Sequence, residues 1–203
     1  QENILAGAKA RNLCSRLSDE AYPYPEGIDM MVGNSRWMPP EIVYSEDMQL
    51  YLDDFEIRLE HHYGSNHAGT WVILHKQKIV FIGDTVVVEQ APFLAYADLL
   101  QWQEDLQVLG SKSYKGYQII SARSGLVSQE QVRKMGKMIA YIAGLLQPLQ
   151  EQGADLEAYY DLLPKILKKT EVSEAQTEMC FNRLRWGLTT YYEQFIDNQK
   201  GDS

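Results

Sequence analysis

The chain has 203 residues, 45% hydrophobic and 23% charged, an ordinary globular balance with ample material for a core. Its formal net charge is −9 with no offsetting run of Lys or Arg, which excludes nucleic acid and anionic membrane surfaces as partners. Cys14 and Cys180 form no disulfide framework, which points to a cytoplasmic setting, and no apolar stretch approaches the roughly 20 residues that span a bilayer.

The first residues, QENILAGAKARN, lack the charged-then-apolar layout of a signal peptide and read as the middle of a helix. The chain is therefore expected to begin inside a larger protein. Apolar residues at helical spacing (Ile4, Leu5, Ala8, Leu13, Leu17) predict a helix over 4–17. A segment rich in Pro and Gly follows, from Ala21 to Tyr44, and reads as a long connection. From Met48 the period changes to two. MQLYLDDFEIRLEHH predicts two strands joined at Asp53-Asp54, and TWVILHKQKIVFIGD a hairpin turning at His75-Lys76-Gln77. The second arm, 79–82, is almost wholly apolar, as a buried central strand would be. Asp98 caps a predicted helix to Leu109, and a last strand over 117–121 precedes an Arg-Ser-Gly turn. The remainder is helical: Ser128 and Gln131 form a capping box for a helix to Gln152, 154–169 is a helix interrupted or kinked at Pro164, and Ser173 with Gln176 opens a third to about Asp197. This order suits an α/β, or layered α+β, domain with a helical tail.

The densest chemical cluster is EHHYGSNHAGTW, which holds His61, His62 and His67 between two strands. Beyond it, Asp84 ends the apolar strand. A strand-end carboxylate beside neutral imidazoles is what a Zn or Fe site requires, although such an Asp equally serves as a turn or helix cap. His62 reads either as a group near the site or as a strand-end residue; His61 alternates with it and points the other way. His75 falls on a hairpin turn at the surface. Glu89, Gln90 and Phe93 either line a cleft or build a structural loop. Trp71 and Trp102 are expected in the core, Tyr191 and Tyr192 against the tail, and Cys180 as a buried thiol at helical spacing with Leu184. No nucleophile elbow, phosphate loop or dinucleotide fingerprint occurs.

The run NHAGTWVILHKQKIVFIGD, from Asn66 to Asp84, resembles the second half of the metallo-β-lactamase superfamily. QAPFLAYADLLQWQEDLQVL resembles the segment after that family's bridging Asp, YKGYQIISARSGLVSQEQVR the strand and turn of its last metal-binding His, and FNRLRWGLTTYYEQF its helical C-terminus. The resemblance implies the C-terminal half of an αββα sandwich over 1–127 and a helical extension over 128–203. It also implies a hydrolase in which one or two metal ions (Zn, or Fe or Mn) activate a water for attack on an ester, thioester, amide or phosphoester of a small molecule.

Three departures bear on that implication. The family's HxHxDH motif is absent. Its loop His falls on Asn66, with His67 as the neighbour that could replace it, and its final His falls on Arg123. An arginine has no lone pair to give a metal, but its guanidinium suits a carboxylate or phosphate. The implied metal ligands are then Asp84 and His67, and the implied substrate contacts Arg123, Asn66 and His62. Two functions remain open: a hydrolase with a reduced metal site, or with no metal in this chain alone, and a non-catalytic binding or scaffold module that has lost its ligands. A half-sandwich would also leave one sheet face uncovered, so self-association into a homo-oligomer is expected.

Overall fold

In the computed structural model the described residues are 43–201, with side chains described as far as Gln194. The helix expected over 4–17 and nearly all of the connection after it lie outside them. All elements below belong to the compact unit that begins at Ser45.

Period-two alternation produces a six-stranded sheet in which sequence order is also spatial order. β1 (Asp47–Leu52) and β2 (Phe55–His61) turn at Asp53, whose φ of 50° is left-handed; Asp tolerates this through local hydrogen bonding. β3 (Thr70–Leu74) and β4 (Ile79–Phe81) form the second hairpin, whose turn runs one residue further than expected, to Lys78 at φ 54°. β4 then pairs parallel with β5 (Gln118–Ser121), the one parallel pairing in the sheet. A parallel pair needs a long crossover, and helix α1 (Leu99–Leu109) supplies it. Asp98 caps α1 as expected, accepting from the N–H groups of Leu100 and Gln101. One strand was not anticipated. After the turn at Ala122–Ser124 the chain folds back as β6 (Gly125–Val127), antiparallel to β5, too short for alternation to reveal.

The two faces of the sheet meet different surroundings. Trp71, Ile73, Val80, Ile119 and Val127 are buried in one core with α1 and with α2 (Gln129–Glu151). α2 contributes Val132, Met135, Ile139, Ile142 and Leu146, spaced three and four residues apart so that one stripe faces inward. Its capping box is formed as the sequence indicates, with Ser128 and Gln131 exchanging hydrogen bonds. On the opposite face the pairing registers align Met48, Leu59, Val72, Phe81, Ile120 and Leu126 into one apolar row across all six strands. Phe81 remains 42% exposed and Leu126 68%. Among the described residues, the strand expected to be buried on both sides packs against helices on one side only.

The helices after Val127 pack on this same core. The stretch expected as one helix kinked at Pro164 is two: α3 (Leu156–Tyr160) and α4 (Leu163–Lys169). Pro164 sits in the first turn of α4, where its missing N–H costs no intrahelical bond, so the break precedes it. α5 (Thr177–Gly201) starts after a short 3₁₀ turn at Glu174–Gln176, and Ser173 makes no side-chain cap there. Cys180 is a free, fully buried thiol. Among the described residues no helix is long and apolar enough to cross a membrane.

Burial raises the Tyr114 hydroxyl far above its ordinary value of 10.0, with Glu60 adding to the effect, and raises Tyr159 and Tyr191 in the same direction. A tyrosine raised in the folded state stabilises fully below the unfolded value and loses that stabilisation as pH climbs past it. The urea midpoint is therefore expected to fall between about pH 9 and about pH 11, and Tyr114→Phe to flatten that fall. An equal decline in both proteins would place the alkaline sensitivity elsewhere.

Candidate functional site

Asp84 lies in the tight turn that follows β4. Gly83 is left-handed at φ 54°, and the Thr85 N–H and hydroxyl both donate to the Ile82 carbonyl, at 3.1 and 2.7 Å. Both core tryptophans converge on this turn. The Trp71 indole N–H donates to Thr85 Oγ1 at 3.1 Å and the Trp102 indole to the Thr85 carbonyl at 2.9 Å. A buried indole N–H needs an acceptor, and here two of them fix the residue next to Asp84. Trp71 and Trp102 are buried in the core as expected, and they also hold the turn.

Arg123 comes from the turn between β5 and β6. The Ser121 hydroxyl donates to the Val86 carbonyl at 2.6 Å, and its oxygen lies 3.3 Å from the N–H groups of both Arg123 and Ser124. Ser124 Oγ in turn accepts from the Val88 N–H at 2.9 Å. The turn is thereby bound to the strand of chain leaving Asp84. Across this junction Arg123 Nε donates to Asp84 Oδ2 at 2.8 Å, with side chains 50% and 28% exposed. Asp84 and Arg123 are thus brought together, as an ion pair.

The histidine loop is built differently. Asn66 Oδ1 accepts from the Ala68 N–H at 2.8 Å, a local turn that occupies the amide oxygen. His61 lies along the same loop, its Nε2 2.9 Å from the His67 carbonyl and its Nδ1 3.1 Å from that of Ser45. His67 is exposed and lines a hollow of about 500 Å³ beside Asp98, Gln150 and Tyr191, which includes neither Asp84 nor Arg123. His62 turns inward. Its ring stacks on Trp71 at 3.6 Å, its Nδ1 lies 2.7 Å from Asp105 Oδ1 and its Nε2 3.4 Å from Glu60 Oε2. His75 stays at the surface, hydrogen-bonded to the Tyr117 hydroxyl.

Asp105 is the residue sequence reasoning passed over. It is buried, and besides His62 it accepts from the Gly64 N–H at 3.0 Å. A signal existed: Asp105 interrupts the inward stripe of Leu99, Trp102, Leu106 and Leu109, and a carboxylate on such a stripe must find donors. Of the loop candidates, Glu89 takes a left-handed φ of 56°, while Phe93 stacks on Trp186 at 4.7 Å and so belongs to the packing.

A metal ion of the kind the resemblance implies does not fit these groups. A guanidinium holds one oxygen of Asp84, Asn66 spends its oxygen on its own loop, and His67 faces a different hollow. A divalent ion ~4 Å from the guanidinium would be repelled by about 4 kcal/mol per unit of its charge at an effective dielectric of about 20, less where solvent screens the pair. Among the described residues no group of three or more His, Cys, Asp or Glu is placed to hold a metal.

No protein-family model and no curated protein matches this sequence. Solved structures do. A double mutant of the sec-alkyl sulfatase PisA1 superposes over 78% of this chain at 12% identity and a TM-score of 0.52, the match spanning 27% of the sulfatase chain. A metallo-beta-lactamase family protein from Thermus thermophilus superposes over 91% of this chain and 59% of its own, at 12% identity and a TM-score of 0.50. The chain thus spans less than two thirds of either structure's length. At these identities the likeness speaks to the fold: a sheet with one helix-covered and one apolar face, ending in helices, is the C-terminal half of a metallo-β-lactamase fold with a helical tail.

Proposed function

We propose that this chain is a metal-independent binding module of the metallo-β-lactamase fold, in which the Asp84–Arg123 ion pair stands in for the metal and receives a small anionic molecule. The observation that carries this reading is the 2.8 Å contact from Arg123 Nε to Asp84 Oδ2. Binding through Nε aims the guanidinium and leaves its terminal nitrogens to donate to a carboxylate or phosphate in bidentate fashion. Half exposure keeps that edge reachable, and the Ser121 and Ser124 hydrogen bonds spare the ligand the cost of ordering the turn.

The test has two arms. After equilibration with Zn²⁺, Mn²⁺ and Fe²⁺ and removal of excess, elemental analysis is expected to find well under one equivalent of any metal. Calorimetric titration with inorganic phosphate is expected to show binding that weakens about tenfold in Arg123→Gln, the loss of a charge-assisted pair. One tightly held metal equivalent, removed by Asp84→Ala, would overturn this reading and restore that of a hydrolase acting through metal-activated water.

A further inference from the structure

A second hollow, of about 410 Å³, opens between the segment after Asp84 and helices α2 and α4. Its size falls within the range of small-molecule sites. Val87 and Met135, both buried, and half-buried Met138 form its apolar side, and the exposed Lys134, Lys137 and Lys169 stand around it. On a chain of net charge −9, the three lysines of this hollow outnumber its two glutamates, Glu89 and Glu171, so the local sign is weakly positive. They are not equally engaged. Lys134 is paired with Glu171 at 3.2 Å, and the Lys169 ammonium lies 5.8 Å from the centre of the Tyr141 ring, whereas Lys137 makes no ion pair among the described residues. Glu89, in its left-handed conformation, also lines the hollow, a strained backbone of the kind found at ligand clamps.

We infer that this hollow binds an amphipathic monoanion, a carboxylate on a medium-length alkyl chain. Methionine fits such a tail because its unbranched thioether adapts to variable apolar shapes. The lysine stems extend the apolar wall while their ammonium groups meet the head at the rim. An inorganic anion would leave the methionine surface unused, and a neutral alkyl chain would leave Lys137 and Lys169 without a counter-charge. The site is separate from the Asp84–Arg123 pair, neither of which lines it.

Calorimetric titration of the whole chain with octanoate, octanol and acetate tests this. Octanoate is expected to bind, with octanol and acetate each weaker by about tenfold or more. Lys137→Glu combined with Lys169→Glu is expected to weaken octanoate about tenfold and octanol far less, since the reversal removes the counter-charge of the head while the wall of Val87, Met135 and Met138 remains. Arg123→Gln is expected to leave octanoate binding intact, which separates this site from the phosphate-binding reading. Equal affinity for octanoate and octanol, octanoate binding that survives the lysine reversals, loss in Arg123→Gln, or no binding at all would each overturn the proposal.

Discussion

Gly69→Ala is expected to destabilise the fold by about 3 kcal/mol or more, the upper range for forcing an atom into filled space. A Cβ at this position would lie 2.2 Å from the His62 carbonyl oxygen, a backbone atom that cannot swing aside. The same segment is tied by the His62 N–H, which donates to the Gly69 carbonyl at 2.9 Å, so relief from the clash breaks the closure of the histidine loop. The measurement is a urea denaturation midpoint. Gly144→Ala makes the control, because that glycine lies inside α2 with nothing within 4 Å of the added carbon. There the change is expected to stabilise by roughly 0.5–1 kcal/mol, the helix-propensity difference. Opposite signs for one chemical change are the expected result. A neutral Gly69→Ala would mean that the loop is not closed against β2 as described.

The second large effect is expected at Asp105. Asp105→Ala removes the acceptor for two donors at once, the His62 ring and the Gly64 N–H, both in poorly hydrated surroundings. Each stranded donor costs about 1–3 kcal/mol, so a loss of about 3 kcal/mol is expected, enough to unfold a marginal domain. Asp105→Asn keeps one acceptor oxygen and is expected to cost less. The coupling is directly measurable: in a His62→Leu background the Asp105→Ala penalty should shrink, since one of the two donors is already gone. Additive penalties would show that the 2.7 Å contact holds no energy of its own. Because this network reaches Asp84 only through Trp71, whose indole holds Thr85, His62→Leu is expected to weaken phosphate binding at Arg123 far less than Arg123→Gln does.

His62 was placed by resemblance among substrate contacts, yet its ring is taken up by Trp71, Asp105 and Glu60. Its role on this geometry is to hold the loop. His67 sits one residue from the position the family uses, and the Asx turn at Asn66 directs that loop toward α1 and α5 rather than toward Asp84. Asp84 and Arg123 were singled out for separate reasons and prove to be partners. The chemistry of each residue type already contained the result, since a carboxylate and a guanidinium at neighbouring ends of adjacent strands neutralise each other in the absence of anything stronger.

Among the described residues no helix packs on the second, apolar face of the sheet. Alternation along each strand marks which residues share a side, and the apolar set on both sides implies that both are meant to be covered. The row from Met48 to Leu126 could be assembled only once the registers were known, because a slip of one residue in any strand would interrupt it.

What the amino-acid sequence determined by itself is whatever depends on neighbours a few residues apart. The cap at Asp98 and the capping box at Ser128 arise from side chains bonding to backbone within one turn, and the hairpin at Asp53 from a residue type that tolerates left-handed backbone. The net charge and the absence of a lone pair on Arg123 are likewise properties of composition. The tertiary structure decided what depends on residues far apart in the chain: the parallel pairing of β4 with β5, the hold of Trp71 and Trp102 on Thr85, the Asp105 link to the histidine loop, and the ion pair at Asp84. No local preference encodes these, because each requires a loop to be closed first and becomes favourable only when the core has brought both partners out of water together.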